Sequence, residues 1–205
     1  LNLSIFSILI GFQLLRGHIQ ISYYTWMMVG LFILISVIID KSSNNINILK
    51  SKFSIVLSLV IGLFISLSIY YPILSYSKYS IRGAIDGGSG LEYATQWSMS
   101  IKEFLTFIFP YSLGFGGPLY HGDLPFTDFP NYIGLSIIIL AILGLIKSKI
   151  SNIYKLFFIL IIIFSLLISL GSNFIEFYKI FYNYFPYFNK FRVPAYILIL
   201  TNFSL

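Results

Sequence analysis

The sequence predicts an all-α membrane protein, a polytopic bundle of transmembrane helices. Hydrophobic residues make up 58% of the 205 residues and charged residues only 10%, whereas globular domains carry about 25% charged residues. Long apolar runs without a charge recur along the chain, and aromatic residues reach 19%, as is typical of proteins with two membrane–water interfaces. So few charges could not cover a surface in water without large apolar patches. We therefore expect the lipid bilayer to be the main partner of this surface.

Six charge-free apolar runs are candidate membrane crossings. A helix needs ~20 residues to cross the hydrocarbon core, and the backbone must be helical there because lipid offers it no hydrogen-bond partners. The runs are 1–15, 21–39, 53–74, 129–146, 156–171 and 193–205. The first and last are short and lie at the ends of a chain that begins with Leu1, so we expect an internal fragment of one longer transmembrane domain.

The positions of Lys and Arg predict which loops face the cytoplasm. Loops 40–52 and 147–155 together carry six Lys and one acid, and short cytoplasmic loops are enriched in such residues. The segments 16–20, 75–128 and 172–192 carry seven basic and six acidic residues, and we expect them outside. Because the basic residues never cluster on one surface, nucleic-acid binding is not expected. The lack of Cys excludes disulfides and Cys-ligated metals.

The two long external segments each contain a predicted short helix at the membrane interface. Ser100 and Glu103 have the spacing of a capping box, in which each side chain satisfies a backbone N–H of the other. This box would open a helix at 104–109. In the second segment, Asn173 and Glu176 have the same spacing.

The second of these helices carries an aromatic stripe. Its members recur at helical period and would share one face: Phe174, Phe177, Tyr178, Phe181, Tyr182 and Phe185. The stripe either rests on lipid headgroups or forms the wall of a groove for a lipid substrate.

Six motifs follow one another along nearly the whole chain. They are Gly17-His18-Ile19-Gln20 before Tyr23-Tyr24, Ser80-Ile81-Arg82-Gly83, Tyr93-Ala94-Thr95-Gln96-Trp97-Ser98, Phe109-Pro110 before a glycine-rich stretch, Gly122-Asp123-Leu124-Pro125-Phe126-Thr127 and Tyr187-Phe188-Asn189-Lys190-Phe191-Arg192-Val193-Pro194. In order and approximate spacing, this set resembles the YfhO family of bacterial polytopic membrane proteins.

The resemblance implies a GT-C-like fold in the bacterial cytoplasmic (inner) membrane, with many transmembrane helices and long external loops. It also implies transfer of a sugar from a polyprenyl-phosphate donor to a cell-envelope acceptor, a glycopolymer or a glycolipid. In GT-C enzymes the catalytic acid usually lies in the first external loop. We therefore expect the main catalytic acid to precede residue 1.

Sugar transfer of this kind needs cations to hold the donor phosphate and a base to deprotonate the acceptor. Arginine suits phosphate through its planar fork of donors, and carboxylates can act as bases. The candidate phosphate contacts are Arg16 with His18, Arg82 and, preferred among them, Arg192, which precedes a helix start whose partial positive charge would add to its own. Anchoring at the membrane interface, or for Arg82 a surface salt bridge, is the alternative for each.

The remaining candidates are the acids, a histidine and a tryptophan of the long external segment. Glu92, His121, Asp123 and Asp128 are the candidates for acid–base chemistry. No cofactor motif is evident, but one His and two Asp could bind a divalent cation. Turn capping is the alternative for Asp. Trp97 could stack on a sugar, and anchoring in the aromatic belt is its alternative.

Two other functions remain open besides an envelope glycosyltransferase. A transporter or lipid-handling protein would place charges inside its spans, whereas here Gln13 is the main polar residue of a span and no complete span holds a charge. A non-catalytic scaffold would use its external loops to bind other envelope proteins. An acid in a first external loop of the full-length protein would favour the enzyme.

Overall fold

The computed structural model describes residues 2–39, 46–76, 79 and 90–205, and among these the regular elements are all helical. The α-helices are α1 (Asn2–Leu15), α2 (Ile19–Ile39), α3 (Ile46–Tyr76), α4 (Leu91–Ala94), α5 (Leu135–Lys147), α6 (Asn152–Ser169), α7 (Ile175–Tyr184) and α8 (Leu198–Ser204). Short 3₁₀ helices cover Ile101–Phe107, Gly117–Leu119, Gly171–Phe174, Phe188–Lys190 and Pro194–Ile197. The predicted all-α class is confirmed for the described residues.

Among the residues that the structure describes, three helices are long and apolar enough to cross a membrane. Their apolar windows are Ile19–Ser36, Phe53–Ile73 and Asn152–Ser169, and they coincide with three of the predicted runs. The other apolar helices are shorter, between 10 and 17 residues. The protein therefore has the helices of a membrane protein, while the six-span topology stays a prediction.

The predicted span 129–146 is helical only from Leu135. The backbone N–H groups of Ile133 and Gly134 both donate to the Phe107 carbonyl, at 3.1 and 3.0 Å. These bonds tie this stretch to the 3₁₀ helix Ile101–Phe107. Gly134 has a φ of 105°, a conformation that favours glycine. Because of these hydrogen bonds, the first residues of the predicted span are not helical, and α5 has 13 residues.

The chain forms two compact units, Leu1–Gly87 and Gly88–Leu205. In the first unit, α1 packs along α3 through small side chains, and all of them are buried: Ser7 and Gly11 of α1, and Ser58, Gly62 and Ser66 of α3. Small residues four positions apart let two helix backbones approach closely in a membrane. This spacing is present in the sequence, but apolar runs alone do not reveal it.

The two glycines of this contact leave no room for a side chain. A Cβ atom on Gly62 would lie 2.4 Å from Ile10 Cγ2, and one on Gly11 would lie 2.8 Å from Ile65 Cγ2. Close to them, Ser58 Oγ donates a hydrogen bond to Ser54 O of its own helix at 2.8 Å. It also donates to Leu3 O of α1 at 3.3 Å. The α1–α3 contact is therefore held by shape and by hydrogen bonds to Leu3 O and Leu14 O of α1, the second donated by the Tyr70 hydroxyl of α3 at 2.8 Å.

The second unit is built around α6. Its Ser165 Oγ lies 2.6 Å from Thr201 Oγ1 of α8, and both side chains are buried. Phe164 of α6 meets Phe181 of α7 at a ring-centroid distance of 5.1 Å. A further apolar cluster of Met99, Phe107, Leu124 and Leu198 joins α8 to the long segment before α5. Helix α6 therefore positions the segments that carry the candidate site.

We predict that Gly62→Leu destabilises the first unit by about 1–3 kcal/mol, because the added side chain overpacks the α1–α3 contact. Gly30→Leu is the matched control, since a Cβ on Gly30 of α2 meets nothing within 4 Å. The free energy of unfolding of each purified variant in detergent would measure the difference. Equal stability of the two variants would contradict the packing described for α1 and α3.

Candidate functional site

Two segments predicted to be external meet at the Ser169 end of α6. The Met99 N–H donates to Ser169 O at 2.8 Å. The Ser172 N–H donates to Ser98 Oγ at 2.8 Å, and the Asn173 amide donates to Met99 O at 2.9 Å. One hydrogen bond therefore fixes the first segment to α6, and two fix it to the second segment.

Gly171 makes this junction possible. Its φ is 48°, a left-handed conformation that glycine adopts without steric cost. A Cβ atom there would lie 2.0 Å from Ser98 Oγ and 2.8 Å from Pro194 Cγ. Any other residue would push the two segments apart.

Arg192 lies against two aromatic rings of the first segment. Its Nη1 donates to the Tyr93 hydroxyl at 3.1 Å. Its Cζ lies 5.3 Å from the Tyr93 ring centroid and 5.8 Å from that of Trp97, within the ~6 Å range of cation–π attraction. The structure thus brings together two predicted site residues, Trp97 and Arg192, and adds Tyr93; we call these three the arginine cluster.

The backbone is strained at two points of the arginine cluster. Trp97 has a φ of 57°, and Val193, directly after Arg192, has a φ of 58°. A positive φ is rare for residues with a side chain and is a genuine outlier for a β-branched one. Such strain costs of order 1–3 kcal/mol and gathers at functional sites. The strain at both ends of the Arg192–Trp97 contact therefore marks this place as the candidate site.

Trp97 also contacts the motif Gly122–Thr127 further along the chain. Its Nε1 donates to Phe126 O at 3.2 Å. The two rings meet edge to face, 5.5 Å apart at 87°. The motif from Gly122 to Thr127 therefore supports the Trp97 ring.

A buried carboxylate organises this motif. Glu103 is only 2% exposed, and its Oε1 accepts hydrogen bonds from the Tyr120 hydroxyl and, at 3.0 Å, from the Asp123 N–H. The Tyr120 hydroxyl in turn accepts from the Leu124 N–H at 2.9 Å. A Cβ on Gly122 would lie 2.2 Å from Glu103 Oε1, so the loop closes tightly over the carboxylate.

Burial and the hydrogen bond to Glu103 raise the pKa of Tyr120 above its usual range. The tyrosine therefore stays protonated at neutral pH and donates its proton to Glu103. A carboxyl group this deeply buried needs hydrogen-bond partners, and the loop supplies them. Glu103 therefore holds the loop of the candidate site in place, a role that its spacing from Ser100 did not indicate.

The predicted capping boxes are wrong. Ser100 makes no side-chain cap, and its Oγ is buried without a hydrogen-bond partner among the described residues. Glu103 turns to the Tyr120 loop instead. Asn173 gives its amide to the neighbouring segment, and Glu176 pairs with Lys179 at 3.1 Å. Glu103 and Asn173 therefore bind partners distant in the sequence, while Glu176 pairs within its own helix.

The aromatic stripe is continuous, and part of it faces the protein interior. Neighbouring rings from Phe174 through Phe177 and Phe181 to Phe185 lie 5.3 to 5.6 Å apart. Tyr178 is fully buried, and its hydroxyl donates to Ala94 O at 3.3 Å. At Tyr178, therefore, the stripe binds α7 to the segment of the arginine cluster rather than resting on headgroups.

The other predicted acid–base residues lie at the surface. Glu92, Asp123 and Asp128 are exposed, as is His121, whose Nδ1 lies 3.3 Å from Leu119 O. Across residues 2–39, 46–76, 79 and 90–205, no three His, Asp or Glu side chains gather as a metal ion would require. A divalent cation therefore stays a prediction, with no preformed cage in the described residues.

The remaining predicted phosphate contacts lie elsewhere. Arg16 and His18 are exposed at the turn between α1 and α2, in the first unit. Gly17 between them has a φ of 76°. Arg82 lies outside the residues that the structure describes.

Comparison with protein-family models, curated proteins and solved structures finds no match to this chain. Three of the sequence motifs nevertheless meet in space. Arg192, from the last motif, contacts Tyr93 and Trp97 of another, and Trp97 contacts Phe126 of a third. The motifs therefore build one site in the second unit.

We predict that Tyr120→Phe destabilises the second unit by about 1–3 kcal/mol, because Glu103 and the Leu124 N–H lose a buried partner. Tyr111→Phe is the matched control, since Tyr111 is 75% exposed and surface changes usually stay within about 0.5 kcal/mol. Unfolding in detergent would measure both variants. A loss no larger for Tyr120 than for Tyr111 would show that the Glu103 contact does not organise the loop.

Proposed function

We propose that the chain belongs to a membrane glycosyltransferase that transfers a sugar from a polyprenyl-phosphate donor to a cell-envelope acceptor, a glycopolymer or a glycolipid, in the bacterial cytoplasmic membrane. The observation that carries the proposal is the arginine cluster, in which one guanidinium lies against Tyr93 and Trp97. Its place at the Ser169 end of an apolar helix fits a substrate whose lipid tail lies in the membrane and whose phosphate lies at the surface.

The arginine cluster has the chemistry that such a donor requires. A guanidinium offers parallel N–H donors to phosphate oxygens. Aromatic rings fixed beside it offer a flat apolar face to a sugar ring, and the Tyr93 hydroxyl already orients the guanidinium. We assign the donor phosphate to Arg192 and the sugar face to Trp97.

The exposed acids beside the arginine cluster are candidates for contacting the acceptor. Glu92 precedes Tyr93 on α4. Asp123 is held by its backbone N–H to the buried Glu103, while its carboxylate is exposed. Hydrogen bonds from sugar hydroxyls are the contacts these carboxylates could accept.

A non-catalytic, lipid-handling or transport protein is the second candidate. The arginine cluster would serve a protein that binds polyprenyl phosphate without reacting with it. Such a protein would bind the donor and release it unchanged. Turnover therefore separates the two candidates, and binding alone does not.

We predict that Arg192→Ala in the full-length protein lowers kcat/KM for a polyprenyl-phosphate sugar by about 10- to 100-fold, because a hydrogen bond to a charged group contributes about 1.5–3 kcal/mol. Arg192→Lys should lose less, since it keeps the charge but not the fork. Lys102→Ala is the matched control, an exposed cation on the Ile101–Phe107 3₁₀ helix.

The same assay tests Arg82, the other phosphate contact expected from the sequence. Wild-type rates for both Arg192→Ala and Arg82→Ala would refute the phosphate assignments. Thermal unfolding of each variant in detergent separates a lost contact from a lost fold. Donor binding without turnover by the full-length wild-type protein would favour the second candidate.

A further inference from the structure

The Tyr93 hydroxyl is a hydrogen-bond acceptor for Arg192 and still has a proton to donate. A tyrosine hydroxyl can accept and donate at the same time, and here its oxygen accepts from Arg192 Nη1 at 3.1 Å. Because the guanidinium N–H occupies one side of the oxygen, the hydroxyl proton points away from it. Within residues 2–39, 46–76, 79 and 90–205, no atom accepts this proton. Tyr93 therefore presents a second donor beside the guanidinium.

Both donors are held in place by the backbone on either side of them. Ala94, directly after Tyr93, is fully buried, and its carbonyl oxygen accepts a hydrogen bond from the Tyr178 hydroxyl at 3.3 Å. Arg192 lies between two residues that are themselves buried. Groups that are already fixed lose little freedom when a ligand binds, which favours affinity. The two donors are therefore preorganised for a common ligand.

The chemistry of the pair suits one anionic group that carries several oxygens. The two donor atoms are 3.1 Å apart, close enough for each to reach its own oxygen of a single phosphate. The guanidinium supplies the positive charge, and a hydroxyl that donates to a charged oxygen also makes a strong hydrogen bond. The bond that the Tyr93 oxygen accepts from the guanidinium polarises its O–H group and makes it a better donor.

We propose that Tyr93 binds the donor phosphate directly, giving its hydroxyl proton to one phosphate oxygen while Arg192 binds another. The inference rests on the proposed function, because both assign the phosphate of the polyprenyl donor to the arginine cluster. Tyr93 then has two roles at one atom: its oxygen orients the guanidinium, and its proton contacts the ligand. The alternative is a Tyr93 that positions Arg192 and touches no ligand.

A double-mutant cycle separates these two roles. The Kd for polyprenyl phosphate without a sugar is measured in detergent for the full-length wild-type protein, Tyr93→Phe, Arg192→Ala and the double variant. Tyr93→Phe keeps the ring and should weaken binding by about tenfold, through the loss of a hydrogen bond to a charged group. In the Arg192→Ala background no guanidinium is left to be positioned. There the same change should still weaken binding by about threefold or more.

Polyprenol of the same length is the control ligand. It lacks the phosphate, so all four proteins should bind it with equal affinity. Tyr111→Phe is the matched control variant, since it makes the same chemical change on an exposed tyrosine and should bind polyprenyl phosphate as wild type does. Thermal unfolding shows whether each variant is folded.

A second measurement uses the wild-type protein alone. It serves if Tyr93→Phe does not fold or if Arg192→Ala binds too weakly for a Kd. In a structure of the full-length protein with polyprenyl phosphate, a phosphate oxygen should lie within ~2.7 Å of the Tyr93 hydroxyl oxygen. A phosphate on Arg192 that leaves the Tyr93 hydroxyl without contact would overturn the inference.

Two results of the cycle would overturn the inference and leave the proposed function standing. One is an effect of Tyr93→Phe that disappears in the Arg192→Ala background, which would make Tyr93 a positioning residue. The other is unchanged binding by Tyr93→Phe in both backgrounds. Wild-type affinity of Arg192→Ala, by contrast, would contradict the phosphate assignment and with it both proposals. Binding of the sugar-linked donor without turnover would contradict the transfer reaction alone.

Discussion

The contact between Gly171 and Ser98 is the constraint on which the second unit depends. Ser98 Oγ accepts a hydrogen bond from the Ser172 N–H. Gly171, directly before Ser172, has no side chain, so the two segments can approach each other closely. Tyr93 lies five residues before Ser98, and Arg192 lies 21 residues after Gly171. If the junction opened, the guanidinium and its rings would separate. A contact between a serine side chain and the backbone therefore sets the geometry of the arginine cluster.

The chemistry of the second unit is divided between the two ends of α6. The body of α6 is apolar and offers no partner for charged groups, so such groups are stable only where water, loops or headgroups can meet them. At one end the Arg192 guanidinium lies against aromatic rings, and the Trp97 ring contacts the loop that the buried Glu103 organises. At the other end Lys147, Lys149 and Lys155 lie in a stretch without an acid. The first end therefore offers a phosphate-linked sugar a cation beside a flat apolar face.

Much of the fold could be predicted from apolar runs, and the exceptions have tertiary causes. The long helices α2, α3 and α6 follow from their runs alone. The late start of α5 does not, because it depends on hydrogen bonds to Phe107, far back in the sequence. At the site, Arg192 and Trp97 were recognisable individually by residue type. The role of Glu103 was not, since its partner Tyr120 lies 17 residues away and a local cap explained the same spacing.

The most direct test of the account is the position of the phosphate in a complex of the full-length protein with a polyprenyl-phosphate-linked sugar, determined by electron cryo-microscopy in a lipid nanodisc. If Arg192 holds the donor phosphate, a phosphate oxygen will lie within ~3 Å of its guanidinium, and the sugar ring will lie against Trp97. A phosphate bound elsewhere, with Arg192 still on Tyr93 and no sugar at Trp97, would show that the arginine cluster is structural and contradict the proposed function.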